Sequence, residues 1–186
     1  RADFRKGFGA GMGRLAGLPR SVFGTTLAHA GLGLTVLGIA ATGALQEERI
    51  LSMKPGDAAT VGAYTVTFRV FEPVDGPNFH EDRAWFDISR DGAPAGEMHA
   101  AKRVYRARQM PTTESGIVTY GFSQLYVSLG DPGANGGIVV RLWWKPLVTL
   151  IWLGGLVMSI GGVLSLADRR LRIGAPSRRR HAVPAE

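Results

Sequence analysis

Two long runs without a formal charge constrain this chain more than any other feature. Between Arg20 and Glu47 the only side chain able to carry charge is His29, and between Lys145 and Asp168 there is none. The runs are 26 and 22 residues long, against the roughly 20 that a helix needs to cross the hydrocarbon of a bilayer. A chain with two such segments at this spacing is expected to be a membrane protein with two transmembrane helices.

Charge sets the expected orientation. The net charge is +7, but it is unevenly placed. Residues 1–20 sum to +4 and residues 168–186 to +4, while residues 47–145 sum to −1. Two crossings leave both ends on one side, and basic flanks stay in the cytoplasm. The expected map is a cytoplasmic basic loop at 1–20, a transmembrane helix at 21–46, a periplasmic domain at 47–145, a second transmembrane helix at 146–167 and a cytoplasmic basic tail at 168–186. Each basic cluster abuts a membrane span, so membrane lipids are the expected partner and nucleic acid is not. The first apolar run is too long for the 7–15-residue core of a signal peptide. The chain opens on Arg1, which fits a processed piece or a fragment of a longer chain. There is no cysteine, so disulfides, thiolate metal sites and cysteine nucleophiles are excluded.

The middle region has the marks of β structure. In "YTVTFRVFEPV" Tyr64, Val66, Phe68 and Val70 alternate with Thr65, Thr67 and Arg69, the period of a half-buried strand. Asp91-Gly92 separates two extended stretches, a short-range hairpin signal. Stretches rich in β-branched and aromatic residues follow at 116–130 and 137–144, broken by Pro55-Gly56, Gly76-Pro77 and Asp131-Pro132-Gly133. Short strands at roughly ten-residue spacing without a helical period predict an all-β, small sandwich or barrel-like domain. The fold class is therefore two transmembrane α-helices flanking an extracytoplasmic all-β domain. Trp143 and Trp144 precede the second run, where interfacial aromatics belong, and Pro146 suits the first turn of its helix.

Both apolar runs are rich in small residues. Gly24 and Ala28 make a small-xxx-small pair, and Gly154, Gly155, Ser159, Gly161 and Gly162 do the same for the second run. Such surfaces let helices approach closely. Gly7, Gly9, Gly11 and Gly13 lack the flanking strand and helix of a phosphate-binding loop and are expected in a loop at the membrane surface. His181 belongs to the tail. His80 and His99 are 19 residues apart with no ligand-spaced partner, and Glu81, Asp82 and Asp87 are expected on an exposed loop. No Ser-His-Asp, lysine or paired-carboxylate arrangement for hydrolysis is present, so no catalytic residue is assigned.

His29 is different. An imidazole within a membrane span is costly unless it meets a partner, so it is a candidate functional residue. Thr25 and Gly33, one turn to either side, leave room around its ring. Two readings stand: a neutral imidazole that ligates a metal, haem iron above all in an apolar setting, or a histidine hydrogen-bonded to a neighbouring helix.

A resemblance to a known family runs along most of the chain. "VFGTTLAHAGLGLTVLGIA" resembles a late transmembrane helix of the CcmF family, the large membrane subunits of the bacterial cytochrome c maturation (haem lyase) system, with its A-H-x-G-L core. "MKPGDAATVGAYTVTFRVFEPVDGPNF" is similar to the opening of that family's periplasmic domain. "AAKRVYRARQMPTTESGI" resembles its K-R-x-Y and M-x-T-E-A-x-I segments, with Ser115-Gly116 in place of the usual alanines. "QLYVSLG" is similar to its D-L-Y-V-x-L-G segment, and "VRLWWKPLVTLIWLGGLVMSIGGVLSLADRRLR" resembles its last helix and D-x-R end. The related subunit of nitrite reductase maturation shares this region.

The resemblance implies a part of a membrane haem lyase in the bacterial inner (plasma) membrane. Such a protein binds haem b and supports attachment of haem to the C-x-x-C-H thiols of an apocytochrome c. It implies that His29 is an axial ligand of the haem b iron. The second ligand and the family's Trp-rich motif fall outside this sequence, so this chain alone is not expected to be active. The implied partners are other subunits of the cytochrome c maturation complex, a haem chaperone and apocytochrome c. Nothing carries over to His80 or His99, and Glu114 is expected to order a loop. A second reading is a non-catalytic, membrane-anchored β domain for docking or assembly of a membrane complex.

Overall fold

The computed structural model describes residues 20–107, 109–133 and 136–168. The basic loop, apart from Arg20, and the tail beyond Asp168 lie outside the described residues. The order of elements is helix α1 (Arg20–Leu45), strands β1 (Glu47–Met53), β2 (Ala58–Val61), β3 (Tyr64–Asp75), β4 (Phe79–Arg90), β5 (Ala93–Tyr105), β6 (Pro111–Glu114), β7 (Gly116–Tyr120), β8 (Ser123–Pro132) and β9 (Ile138–Lys145), and helix α2 (Thr149–Leu166). Both helices are long and apolar enough to cross a membrane. The chain divides into two compact units, residues 20–35 with 152–168, and residues 36–151.

In the first unit the helices pack antiparallel through glycine. Gly24 faces Gly161 and Ser165, while Gly31 faces Gly154 and Met158. A β-carbon on Gly161 would stand 2.6 Å from the Gly24 carbonyl oxygen and 2.5 Å from the Ala28 nitrogen. One on Gly31 would stand 2.6 Å from the Gly154 oxygen. The obstacles are backbone atoms, which cannot swing aside. The glycines on each helix recur every seven residues, the period that keeps one stripe against a partner helix. Lipid supplies no hydrophobic drive for helix association, so close backbone contact is the main attraction left. The Ser21 amide donates to Asp168 Oδ2 at 3.0 Å, capping one of the free amides in the first turn of α1.

The second unit is a β sandwich. One sheet has the order β1-β9-β8-β7 and the other β2-β3-β4-β5-β6, with antiparallel pairing throughout. The sheets stay open at their edges, so the domain is a sandwich and not a closed barrel. Val66, Phe68, Ala84, Phe86 and Ile88 of one sheet meet Leu125, Val127, Leu129, Val140 and Leu142 of the other in a single core. Phe68 and Phe86 stack at 5.0 Å between ring centroids. Asp91 and Gly92 form the two-residue turn between β4 and β5, both at positive φ (51° and 78°), the geometry that matches strand twist.

Three local expectations change. Tyr64, Val66 and Phe68 are buried as the alternation requires, but Val70 is exposed. The register shifts between Phe68 and Val70, leaving Arg69 unpaired as a bulge. One extra residue reverses which face every later side chain takes. Helix α2 opens at Thr149 and not at Pro146, because Leu147 adopts φ 54° and the intervening residues form a turn. Trp143 and Trp144 are not both free interfacial side chains. Trp144 packs against the core, its ring pressed on Gly62, whereas Trp143 lies on the other face with Arg141 5.6 Å over its ring.

Candidate functional site

His29 lies midway along the part of α1 that packs on α2, but it points away from that contact. At 100° per residue it is rotated about 140–160° from Gly24 and Gly31. It is exposed, on a face shared with Ser21, Val22, Thr25 and Thr26, which line an open groove with it. Gly33, one turn on, leaves empty space where a side chain would stand.

The ring is oriented by its own helix. His29 Nδ1 lies 2.8 Å from the Thr25 carbonyl oxygen. A carbonyl can only accept, so Nδ1 carries the proton and donates it. The same oxygen sits where the helix ladder directs the His29 amide, and a carbonyl has two lone pairs for the two donors. With Nδ1 protonated in the neutral ring, Nε2 holds the lone pair and is turned outward from the helix pair. Metal-bound histidines are held this way, with one nitrogen donating to a fixed acceptor and the other ligating.

The sandwich does not build a comparable site. His80 Nδ1 pairs with Asp75 Oδ1 at 2.9 Å on the surface. His99 lies against the Trp85 ring with centroids 4.8 Å apart. Strand alternation puts these two histidines on opposite faces of their sheet. Among the described residues no three His, Cys, Asp or Glu side chains are grouped to hold a metal ion.

The acidic cluster beside His80 differs from its expected place on a loop. Glu81 is on β4 and only 1% exposed. Arg83 donates to its Oε1 through Nε at 2.9 Å and Nη2 at 2.5 Å, and Arg103, opposite it on β5, donates to Oε2 at 2.7 Å. Burial alone would raise the Glu81 pKa. The hydrogen bonds from Arg103 and Arg83 outweigh it and hold the carboxyl below the usual range. Arg103 in turn lies 4.1 Å over the Phe79 ring, and Glu114 approaches it to 3.5 Å. Glu114 closes this network from the end of β6. The network's acids and arginines are paired with one another across β4, β5 and β6, which makes it a structural clasp. Its sequence signal is faint, since Glu81 and Arg103 are 22 residues apart and only the β4–β5 register joins them.

Comparison with known proteins extends this picture. The family model described as the CcmF C-terminal beta-sandwich matches residues 44–146. The cytochrome c-type biogenesis protein CycK of Rhizobium meliloti is 56% identical over 91% of this chain and 25% of its own length. The cytochrome c-type biogenesis protein CcmF of Pseudomonas aeruginosa is 39% identical over 92% of this chain and 26% of its own. The chain thus spans about a quarter of the length of the curated relatives it matches. A solved structure titled cytochrome c heme lyase CcmF has the same fold, with a TM-score of 0.67 over 80% of this chain and 25% of that one, at 20% identity. A family model covering more than half of the residues, on a sandwich with two flanking apolar helices, places the chain: it belongs to the CcmF C-terminal beta-sandwich family.

Proposed function

We propose that this chain is the part of a haem-handling membrane protein of c-type cytochrome biogenesis that supplies one axial ligand, His29, to haem b. The single observation that carries the reading is the His29 ring. Its Nδ1–H is committed to the Thr25 carbonyl, which leaves Nε2 as a lone-pair donor on a membrane-helix face that α2 does not cover. The residues fit haem iron: an imidazole held through Nδ1 by its own helix, with the small and apolar side chains of Ser21, Val22, Thr25 and Thr26 beside it. The names of the CycK and CcmF relatives support the pathway. Bound haem would supply the redox chemistry. His29 would fix one axial position and help tune the potential. The axial partner, the apocytochrome and haem-chaperone contacts, and the joining of haem to C-x-x-C-H thiols belong to the longer protein.

The basic ends of the sequence support cytoplasmic termini, with residues 47–145 in the periplasm and both helices in a bacterial inner membrane. The test is the absorbance spectrum of the full-length protein, purified as parent and as His29→Ala. Loss or marked displacement of the haem bands in the variant is the expected result, with protein yield and helical circular dichroism unchanged. A bis-imidazole haem spectrum identical to the parent's would remove the ligand assignment and leave the docking-domain reading.

A further inference from the structure

Helix α2 has little length to spare. Its 18 residues rise about 27 Å, at 1.5 Å each, against a hydrocarbon thickness of roughly 30 Å. Its first residue, Thr149, must therefore sit at the boundary between acyl chains and headgroups. The Thr149 amide donates to the Phe122 carbonyl oxygen at 3.3 Å. Phe122 belongs to the sandwich, at the tip of the two-residue turn between β7 and β8. Gly121 takes φ 60° there, the left-handed first position of a type II′ turn. The bond ties this turn to the level of the membrane surface.

The side chain at that tip is apolar and uncovered, with Phe122 56% exposed. Its surroundings have the composition of a membrane interface. Tyr120, one residue before the turn, stacks on Tyr64 at 4.6 Å, and Arg90 lies 5.7 Å over the Tyr64 ring. Lys145, paired with Gln124 just after the turn, sets its ammonium 4.5 Å over Tyr126. Aromatic rings with cations beside them are the side chains that favour the headgroup layer. Pro146, Val148 and Leu150, around the start of α2, are buried, and the Thr149 bond holds the turn beside that fixed segment.

We propose that the β7–β8 turn is a membrane-seated foot of the sandwich: Phe122 inserts its ring at the headgroup–acyl boundary, with Lys145 facing the lipid phosphates. The occupant is the bilayer itself, because the turn is continuous, through one backbone hydrogen bond, with a helix that enters it.

The chain contains no cysteine, so single labels can be placed cleanly. The whole chain is reconstituted in phosphatidylcholine–phosphatidylglycerol vesicles as Phe122→Cys and, for comparison, Lys54→Cys in the opposite end's β1–β2 turn. Each is spin-labelled, and its accessibility to oxygen and to a water-soluble nickel chelate is measured. The expected result is an oxygen-to-nickel ratio several-fold higher at 122 than at 54. Equal, nickel-rich accessibility at both sites would put the foot in water and overturn the proposal. A label at 122 shielded from both reagents would overturn it as well, since the ring would then be covered by protein. A second readout avoids the label: Phe122→Trp in vesicles of brominated lipid should show added fluorescence that bromine quenches. Unquenched added emission would refute insertion.

Discussion

The helix pair and the β sandwich hold together by opposite means. The helices meet where side chains are missing, at Gly24, Gly31, Gly154 and Gly161, so that backbone lies on backbone. The sandwich closes over its largest side chains, Phe68, Phe86, Met53, Ile88 and Leu125, all almost fully buried. Water explains the difference. Burying Phe86 removes a large apolar surface from water, which is favourable by roughly 25 cal/mol per Å². In lipid that term vanishes, and what remains is dispersion at close range. A side chain is thus an asset in one region and an obstacle in the other.

Truncating a ring should break the sandwich side of this comparison most. Phe86→Ala is expected to cost about 4 kcal/mol, read as a lowered urea midpoint for loss of the strand signal, with the helical signal persisting to higher urea. Loss of both signals together would show that the two regions are energetically one.

Glu81→Gln comes next, at about 3 kcal/mol. That is the low end for a broken buried pair, because Arg83 and Arg103 are each 24% exposed and water can reach their freed groups. The same clasp sets a pH dependence. The folded Glu81 pKa is lowered from its ordinary 4.5, so its stabilisation is fully present above that value. It is lost as pH falls through the lower folded one. Urea midpoints of the parent should therefore drop below about pH 4.5, and those of Glu81→Gln should drop less. Parallel curves would place the acid sensitivity elsewhere.

The smallest effect sharpens the helix side. Gly161→Leu puts a side chain against the Gly24 carbonyl and the Ala28 amide, and is expected to cost about 2 kcal/mol of helix pairing. Energy transfer between labels on α1 and α2 should fall while the sandwich's near-ultraviolet spectrum stays unchanged. Unaltered transfer would mean that the glycine seam does not hold the pair.

Much of this contrast was legible in residue order. Uncharged length identified the spans, the Gly24–Ala28 spacing identified a packing face, and Asp91-Gly92 identified a hairpin. These features are local: each needs only a few neighbours in the chain to have its physical effect. Val70 shows the limit, since a strand pattern continued through Arg69 places it inside and a bulge places it outside. The pattern of alternating residues carries no mark for an unpaired one. Glu81 shows the same limit for charge. Read beside Asp82 it is an exposed acid, and only pairing with a strand 22 residues away supplies the arginine that makes its burial tolerable.

At the candidate site the division is equally clear. The sequence alone determined that an imidazole lies within a membrane span, because charge and apolar length are counted without coordinates. It also determined the all-β character of the middle region, through period-two alternation. The tertiary structure decided which nitrogen of His29 is free, which face of α1 the glycines occupy, and that Phe122 stands level with the start of α2. Those are matters of direction and of distant contact. They depend on which backbone oxygen a ring reaches and on which strands and helices come together in space, and a linear order of residues does not hold them.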